Sequence, residues 1–533
     1  MTELSDRLQA NLRAAGIAAT SEDLAGIAAK GFLSRLSDFA RIVATTPADA
    51  LPDYLDGANL PVPPPLTTPD ALPTDPPADT ILGVAAQIRA GQRDPVALTE
   101  SALAQIATFD SQLNAFQHVT AEQALIDARR AAREIASGSY RGPLHGVPVA
   151  VKDLFDIAGL ATAAGSKIRA GVIATEDATA VARLRAAGAI IVGKTRMSEF
   201  AYSPGSNNAH YGPTANPFDP MRDTGGSSSG SAAAVASGMA YAALGTDTGC
   251  SIRIPAAFCG LVGLKPTWGR TSLAGAVTLS WSLDHGGPLV RSVADAALLL
   301  NVLAGADPRD GRTLHGAAHL TLGDLGAGVA GLRVGLLTGD GSGQTMAEPT
   351  QREAAQRAAA TLAAAGAEVI ELELPQLDGL RVVGGAILAM EAAAFHLPWL
   401  QSRLDDYGEF MRQRVLAAFA YEAGAFVRAQ QARATLRRAA HATMEGFDLL
   451  VGPIHPGSIP ALGVPASNGL ALPFNCLGWP ALTQPVGLDS DGLPLAVQLV
   501  AGPWQESTLL RAAYVVEQQL GRLTPPMRIA VES

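Results

Sequence analysis

A glycine- and serine-rich segment holds the residues whose types and spacing could do chemistry. It begins at residues 225–231 with GGSSSGS and, after a run of small apolar residues, continues at 244–255 with LGTDTGCSIRIP. Serine hydroxyls are candidate nucleophiles, and neighbouring glycines permit close backbone approach and leave N–H groups exposed, as an oxyanion site requires. Small apolar helical residues and an ordered-looking PAAFCG run accompany the segment, so it is not expected to be a flexible linker.

Lysine is scarce in this sequence although arginine is abundant. The five lysines are Lys30, Lys152, Lys167, Lys194 and Lys265. Arginine stays charged, whereas a buried lysine can lose its proton near neutral pH and then act as a base. A retained lysine is therefore a candidate general base, with sampling noise as the alternative explanation.

The elements that must position these residues alternate between helix and strand. Helical patterns occupy 80–90, 95–108, 178–187 and 350–365, and short apolar runs typical of buried strands occupy 147–151, 189–192 and 368–372. This alternation predicts an α/β fold with a largely buried sheet.

The first part of the chain has a different pattern. Residues 20–23, TSED, are typical of a helix-capping box and precede apolar residues at helical spacing. A proline-rich stretch follows, which is too stiff and too poor in donors for a helix or a central strand. We therefore predict an N-terminal helical extension (1–60), a connector (61–79) and a catalytic domain (80–533).

Composition excludes several classes of protein. Of the 533 residues 48% are hydrophobic and 17% charged, and the net charge is −10. A large core is thus expected, whereas a basic nucleic-acid or anionic-membrane surface is not. No apolar run of about 20 residues and no signal peptide are evident, which predicts a cytoplasmic protein.

Metal and cofactor motifs are weak or absent. Cys250, Cys259 and Cys476 form no CxxC pair, and no HExxH occurs, so we expect neither metal nor cofactor. Residues 226–230 fit GxSxG and 326–331 fit GxGxxG, but neither follows a predicted strand as those motifs require.

Several sequence motifs, which occur in the order typical of the family, resemble those of the amidase-signature family of serine hydrolases over roughly residues 80–525. They are GVPVAVKD at 146–153, the glycine- and serine-rich segment itself, GLVGLKPT at 260–267, SLDH at 282–285, and NCLGWPA at 475–481. The resemblance implies that family's fold, a mixed central sheet covered by helices on both faces, here with the N-terminal extension added.

The resemblance also implies a Ser–Ser–Lys triad. Ser251 would be the nucleophile, Ser227, on a cis peptide bond, the proton relay, and Lys152 the base. The backbone N–H groups of Thr248, Gly249, Cys250 and Ser251 would form the oxyanion hole. Cys250 departs from the glycine common in the family, which puts the shape of that hole in question if a positive φ is needed.

Other residues of these blocks are expected to support the site. The resemblance suggests that Ser228, Asp247 and Arg253 orient the nucleophile loop. Aromatic and apolar residues near the blocks could line a substrate cleft or simply pack the core: Met197, Tyr202, Trp281, Phe474 and Trp479. Trp281 in particular leads to the hypothesis of a hydrophobic or aryl-bearing substrate.

The expected function is amide hydrolysis through a serine acyl-enzyme, chemistry that would also serve esters and carbamates. We expect a small-molecule amide as partner, a homodimer as an open alternative, and neither nucleic acid nor membrane. Two further interpretations stay open. One is the glutamine-hydrolysing subunit of a tRNA-dependent amidotransferase, and the other is a non-catalytic scaffold with this fold.

Overall fold

The computed structural model describes residues 2–52, 76–313 and 322–525. Within them, eleven strands form one mixed sheet in the order β1-β3-β2-β4-β6-β5-β10-β11-β9-β7-β8. The strands are β1 (Phe116–Val119), β2 (Pro148–Lys152), β3 (Ile190–Thr195), β4 (Ala242–Asp247), β5 (Val262–Lys265), β6 (His285–Val290), β7 (Arg333–Gly339), β8 (Glu368–Glu373), β9 (Leu449–Pro453), β10 (Ala481–Leu488) and β11 (Pro494–Ala501).

Helices cover this sheet. Those before β4 are α1 (Thr2–Ala14), α2 (Ser21–Ala29), α3 (Arg35–Ala44), α4 (Ile81–Arg89), α5 (Pro95–Leu113), α6 (Ala121–Ala136), α7 (Thr179–Ala186) and α8 (Ser229–Ala236). Those after β4 are α9 (Arg253–Phe258), α10 (Val293–Leu303), α11 (Pro349–Ala364), α12 (Gln376–Ser402), α13 (Glu409–Leu416), α14 (Ala425–Met444), α15 (Leu472–Leu477) and α16 (Glu506–Leu520).

The strand β2 illustrates how both faces of the sheet are buried. Its neighbours β3 and β4 both run parallel to it, whereas β4 pairs with β6 in antiparallel fashion. Val149 and Val151 pack into one hydrophobic cluster and Ala150 into another, because successive side chains of a strand point to opposite faces. The predicted α/β fold, a mixed sheet with helices on both faces, is confirmed.

Local sequence determines where several helices begin. Thr80 precedes α4, and its hydroxyl accepts a hydrogen bond from the Gly83 N–H at 3.1 Å. Asp94 caps α5 in the same way, accepting from the N–H of Val96 at 2.9 Å, and Pro95 occupies the first turn. Such caps satisfy N–H groups that have no partner inside the helix.

The N-terminal extension contains α1, α2 and α3. The capping box expected at residues 20–23 is present, since Thr20 and Asp23 exchange side-chain and backbone hydrogen bonds at the start of α2. The predicted connector falls largely on residues 53–75, which lie outside the described residues.

One described helix, α12, is long and apolar enough to cross a membrane by length and composition alone. Most of it is buried against the rest of the protein, where it packs with α3, α14 and α15. This burial is typical of the core helix of a globular protein.

Candidate active site

Lys152 is the last residue of β2, and its side chain is fully buried. Its Nζ donates hydrogen bonds to the Oγ of Ser227 at 2.8 Å and to the Oγ1 of Thr246 at 2.7 Å. Both partners are hydroxyls, and within the described residues no carboxylate forms an ion pair with this amine. The environment therefore gives the ammonium form little compensation for lost hydration.

The protonation of Lys152 follows from this environment. Burial lowers its pKa to about 7, although the charges of Asp247 and Asp284 oppose the shift. At neutral pH a substantial fraction of the lysine is thus uncharged, and an uncharged amine can accept a proton from the hydroxyl of Ser227.

Ser227 lies in a loop that is packed too tightly for larger residues. The Gly226–Ser227 peptide bond is cis, and Ser227 is fully buried. A Cβ at Gly226 would lie only 2.0 Å from the carbonyl oxygen of Gly205, and Gly225 has a φ of +72°. Glycine is required at both positions by close approach and by backbone conformation.

Ser251 lies on the loop between β4 and α9, directly against this serine loop. The N–H of Ser228 donates to the carbonyl oxygen of Ser251 at 3.3 Å, and Ser251 is 5% exposed. Within the described residues, the N–H groups of Gly249, Cys250 and Ser251 donate to no protein acceptor. Free backbone donors beside a serine suit the stabilisation of an oxyanion.

Asp247 holds both ends of the Ser251 loop. Its carboxylate accepts from Nε and NH2 of Arg253, each at 3.0 Å, and from the N–H of Ile252 at 3.1 Å. Asn475 donates to the Asp247 carboxylate and to its carbonyl oxygen, both at 2.9 Å. Burial alone would raise the pKa of Asp247, but Arg253 and Asn475 outweigh it and hold that pKa well below its usual range.

Cys250 fits the loop without strain. Among the described residues five non-glycine residues have a positive φ, and Cys250 is not one of them. Its side chain is buried, with Sγ 3.7 Å from the carbonyl oxygen of Gly226. Burial raises the pKa of the thiol to about 12, so it stays protonated and is a poor nucleophile at neutral pH.

A second carboxyl group supports the same loop. The Oγ1 of Thr248 donates to Asp284 at 2.6 Å, and the N–H groups of Leu279 and Ser280 also donate to that carboxylate. Burial raises the pKa of Asp284 to about 6 in spite of these donors. Asp284 thereby fixes the orientation of the first residue of the oxyanion segment.

A cavity of about 490 Å³, which we call the arginine cavity, adjoins the Ser251 loop. Asn468 and Leu472 line it, and a Cβ at Gly249 would lie 3.2 Å from the side chain of each. Arg414 lines it too, stacked on the Tyr202 ring at 4.1 Å and donating to the Tyr202 carbonyl oxygen at 2.8 Å. Arg414 therefore lines the same cavity as the two residues that lie against the Ser251 loop.

The five residues expected near a substrate cleft lie at separate places in the structure. Met197, Phe474 and Trp479 are buried in the apolar core. Tyr202 lines a separate cavity of about 240 Å³, and its ring lies under Arg414. Trp281 is 46% exposed, with its ring against Phe395. None of these five lines the arginine cavity.

Sequence reasoning missed several residues. Thr246 belongs to the glycine- and serine-rich segment, but its position in the sequence does not indicate that its hydroxyl accepts a hydrogen bond from Lys152. Arg414 lies on α13, far from any matched block, in a helix whose charge pattern resembles that of a solvated surface. Within the described residues no group of three or more potential ligands could hold a metal ion.

Comparison with known proteins agrees with this fold. The model of the Amidase family matches residues 97–510. The chain therefore belongs to the Amidase family, and the resemblance to amidase-signature enzymes is confirmed. The match begins after the N-terminal extension, which has no counterpart in it.

Relatives and solved structures extend this result. The A subunit of glutamyl-tRNA(Gln) amidotransferase from Anaeromyxobacter dehalogenans (strain 2CP-C) is 41% identical over 465 residues, covering 80% of this chain and 94% of that protein. The native peptide amidase from Stenotrophomonas maltophilia is 34% identical with a TM-score of 0.72, and the match covers 84% of this chain and 98% of that chain. A structure from a vestigial protein complex related to an s-triazine catabolic enzyme is 37% identical with a TM-score of 0.79. That match covers 84% of this chain and 99% of that chain.

These relatives correct one prediction. We expected a small-molecule amide as the only substrate and no nucleic acid, and this is wrong, because relatives at about two-fifths identity are named as part of a tRNA amidotransferase. The net charge of −10 describes a single chain. It carries no information about a tRNA handled by an assembly to which such a chain contributes one component.

Proposed function

We propose that this chain hydrolyses the side-chain amide of glutamine, as the glutamine-hydrolysing subunit of a tRNA-dependent amidotransferase. The contact that carries the proposal is the hydrogen bond of 2.8 Å between the buried amine of Lys152 and the hydroxyl of Ser227. The names of the relatives support the glutamine and tRNA part. A cytoplasmic location belongs to the same proposal.

The proposed reaction begins with proton transfer along the triad. The Oγ of Ser251 bonds to the amide carbon while its proton moves to Ser227, whose own proton moves to Lys152. Backbone N–H groups of Gly249, Cys250 and Ser251 stabilise the oxyanion that forms. The C–N bond then breaks as Lys152 returns a proton through Ser227 to the leaving nitrogen.

Water completes the proposed cycle. It attacks the acyl-enzyme with its proton passing along the same relay, and the bond between Ser251 and the acyl carbon breaks. The products are ammonia and a carboxylic acid. Arg414 supports glutamine as the substrate, since a buried guanidinium that has no acidic partner among the described residues suits the substrate's carboxylate.

Ammonia release from glutamine, from simple aliphatic and aryl amides and from carbamates tests the proposal. We expect glutamine to be preferred and Ser251→Ala to lower the rate by roughly 10⁴-fold or more. Ser229→Ala is the matched control, since it removes a buried hydroxyl without a described partner from the same loop and should retain most activity. Activity that survives Ser251→Ala would contradict the mechanism.

Membership of a larger assembly needs a separate measurement. Affinity purification of the tagged full chain from its own cells should recover the other components of an amidotransferase, and the recovered assembly should amidate glutamyl-tRNA with glutamine as nitrogen donor. Recovery of the chain alone, with hydrolysis of another amide, would favour a second candidate, a free-standing amidase. That candidate is favoured by the N-terminal helices, which already cover one face of the family-matched part.

A further inference from the structure

The N-terminal extension is docked on the catalytic part rather than separate from it. Its helices bury an apolar face in the same cluster as α12 and α13; the buried residues are Leu8, Leu12, Ile17, Ile27, Leu33, Leu36 and Phe39. Phe39 meets the ring of Tyr421 edge to face at 5.3 Å. Burial of seven large apolar side chains makes this a stable interface.

Polar contacts fix the position of the extension on α13. Arg412 donates to the buried carboxylate of Asp23 at 2.7 Å, and Lys30 pairs with Glu409 at 2.8 Å. A Cβ at Gly26 would lie 2.1 Å from the side-chain amide nitrogen of Gln413. So close an approach leaves the helices of the extension little freedom to slide along α13.

This docking places two charged residues of α3 at the arginine cavity. Arg35 and Asp38, one helical turn apart, line it together with residues of α12, α13 and the 467–472 region. The cavity also adjoins the Ser251 loop through Asn468 and Leu472. The extension thus contributes to the lining of a cavity that also borders Gly249 in the Ser251 loop.

Three arginines and two acidic residues line the cavity, namely Arg35, Arg381 and Arg414 with Asp38 and Asp340. Arg381 pairs with Asp378, but within the described residues neither Arg35 nor Arg414 forms an ion pair with an acidic residue. The Nε of Arg414 is buried without a hydrogen-bond partner. Burial lowers the pKa of Arg414, and the nearby positive charge of Arg35 lowers it further.

We propose that the N-terminal extension is part of the substrate-binding site, with Arg35 as a specificity-determining residue that binds the substrate's carboxylate opposite Arg414. An anion between the two guanidinium groups would relieve their repulsion and supply the missing acceptor. This rests on the proposed amide hydrolysis and deepens it, because it assigns the chemical class of the acyl group. The substrate is an amide that carries a carboxylate at its far end.

Two nearly isosteric amides test the role of Arg35. Glutaramic acid and pentanamide differ in whether the chain ends in a carboxylate or a methyl group. For Arg35→Gln we expect the KM for glutaramic acid and for glutamine to rise about ten-fold or more with little change in kcat, and both constants for pentanamide to stay unchanged. Arg35→Lys should restore part of the loss, since it keeps the charge without the planar fork.

A control variant separates recognition from docking. Arg7 lies on α1 of the same extension and pairs with Glu422 at 2.7 Å, away from the cavity. Arg7→Gln should leave the KM for both amides unchanged. Equal changes in Arg7→Gln and Arg35→Gln, or equal changes for both amides, would overturn the assignment of Arg35.

Binding supplies a readout that does not depend on turnover. Calorimetry of glutarate with Ser251→Ala should give a Kd that rises about ten-fold or more when Arg35→Gln is added. An unchanged Kd overturns the inference even if glutamine is hydrolysed. A raised Kd supports it even if the wild-type chain prefers another amide, in which case only the proposed glutamine specificity fails.

Discussion

The amine of Lys152 lies 2.8 Å from the hydroxyl of Ser227, and its second hydrogen-bond partner is also a hydroxyl, that of Thr246. The lysine is therefore held by groups that can accept or donate a proton but cannot stabilise a charge as a carboxylate would. This arrangement favours a base over a structural cation. Lys194 shows the contrast, since it is equally buried but pairs with Asp153 at 2.8 Å.

The pH dependence of hydrolysis should report the titration of Lys152. In the proposed mechanism the uncharged amine is the active form. Since its pKa is about 7, kcat/KM should rise with pH through a midpoint near 7 and level off above it. Initial rates between pH 5 and 9 measure this rise, which we call the ascending limb of the pH profile.

Asp284 provides the control for that assignment, because its carboxyl has a pKa of about 6 and its charge raises the pKa of Lys152. In Asp284→Asn the limb should persist and shift to lower pH. Its disappearance in that variant would assign the limb to the carboxyl and contradict the role of Lys152.

Lys152→Met should abolish activity and stabilise the fold. Between pH 7 and 10.5 the unfolded chain binds a proton that the folded lysine does not, so wild-type stability rises with pH across this window. Methionine removes the free-energy penalty of keeping the buried lysine uncharged, but it also removes two hydrogen bonds. At pH 7 we expect the free energy of unfolding to increase by about 1–3 kcal/mol.

Urea denaturation at pH 7 and pH 10 measures the effect of Lys152→Met. The gain should be larger at pH 7 and shrink towards pH 10. A loss of stability at both pH values would show that the lysine is a charged structural residue.

Asp247→Asn should destabilise the protein severely. The variant leaves Arg253 buried without its charged partner, and breaking a buried pair in this way costs about 3–5 kcal/mol. Asp406→Asn is the control, since its pair with Arg403 is about two-fifths exposed and should contribute at most about 1 kcal/mol. Chemical denaturation distinguishes the two, and similar values would mean that the buried pair is energetically unimportant.

Cys250→Gly should retain hydrolysis, with kcat lowered less than about ten-fold. The residue has ordinary backbone geometry and a thiol whose pKa is raised to about 12, so neither strain nor nucleophilicity depends on it. The loss would come from added loop flexibility around the oxyanion donors. Complete inactivation, measured as ammonia release at saturating amide, would show that the thiol takes part in the reaction.

The local elements were predictable because their patterns are local. The apolar run 147–151 corresponds to β2, and the helical pattern 350–365 corresponds to α11 within one residue at each end. The capping box at Thr20 likewise depends on residues three positions apart. Burial and hydrogen bonding within one turn or one strand determine such features.

The wall of the arginine cavity was not predictable, because it depends on tertiary packing. Arg35 and Arg414 are separated by almost 380 positions and lie on helices whose charge spacing is that of ordinary surfaces. Only the docking of α3 and α13 brings them to one cavity. The hypothesis of a hydrophobic or aryl-bearing substrate rests on the position of Trp281 near the motifs in the sequence, and that position alone does not say which side chains face a cavity.

The docked extension has a consequence for how the site is assembled. If a separate chain supplied this part of the binding site, it would dissociate from its partner on dilution. The two chains would also have to be produced in equal amounts. Here both parts are synthesised as one polypeptide, so their association is unimolecular and has a high effective concentration. The stoichiometry of the extension and the rest of the chain is therefore fixed at one to one by translation.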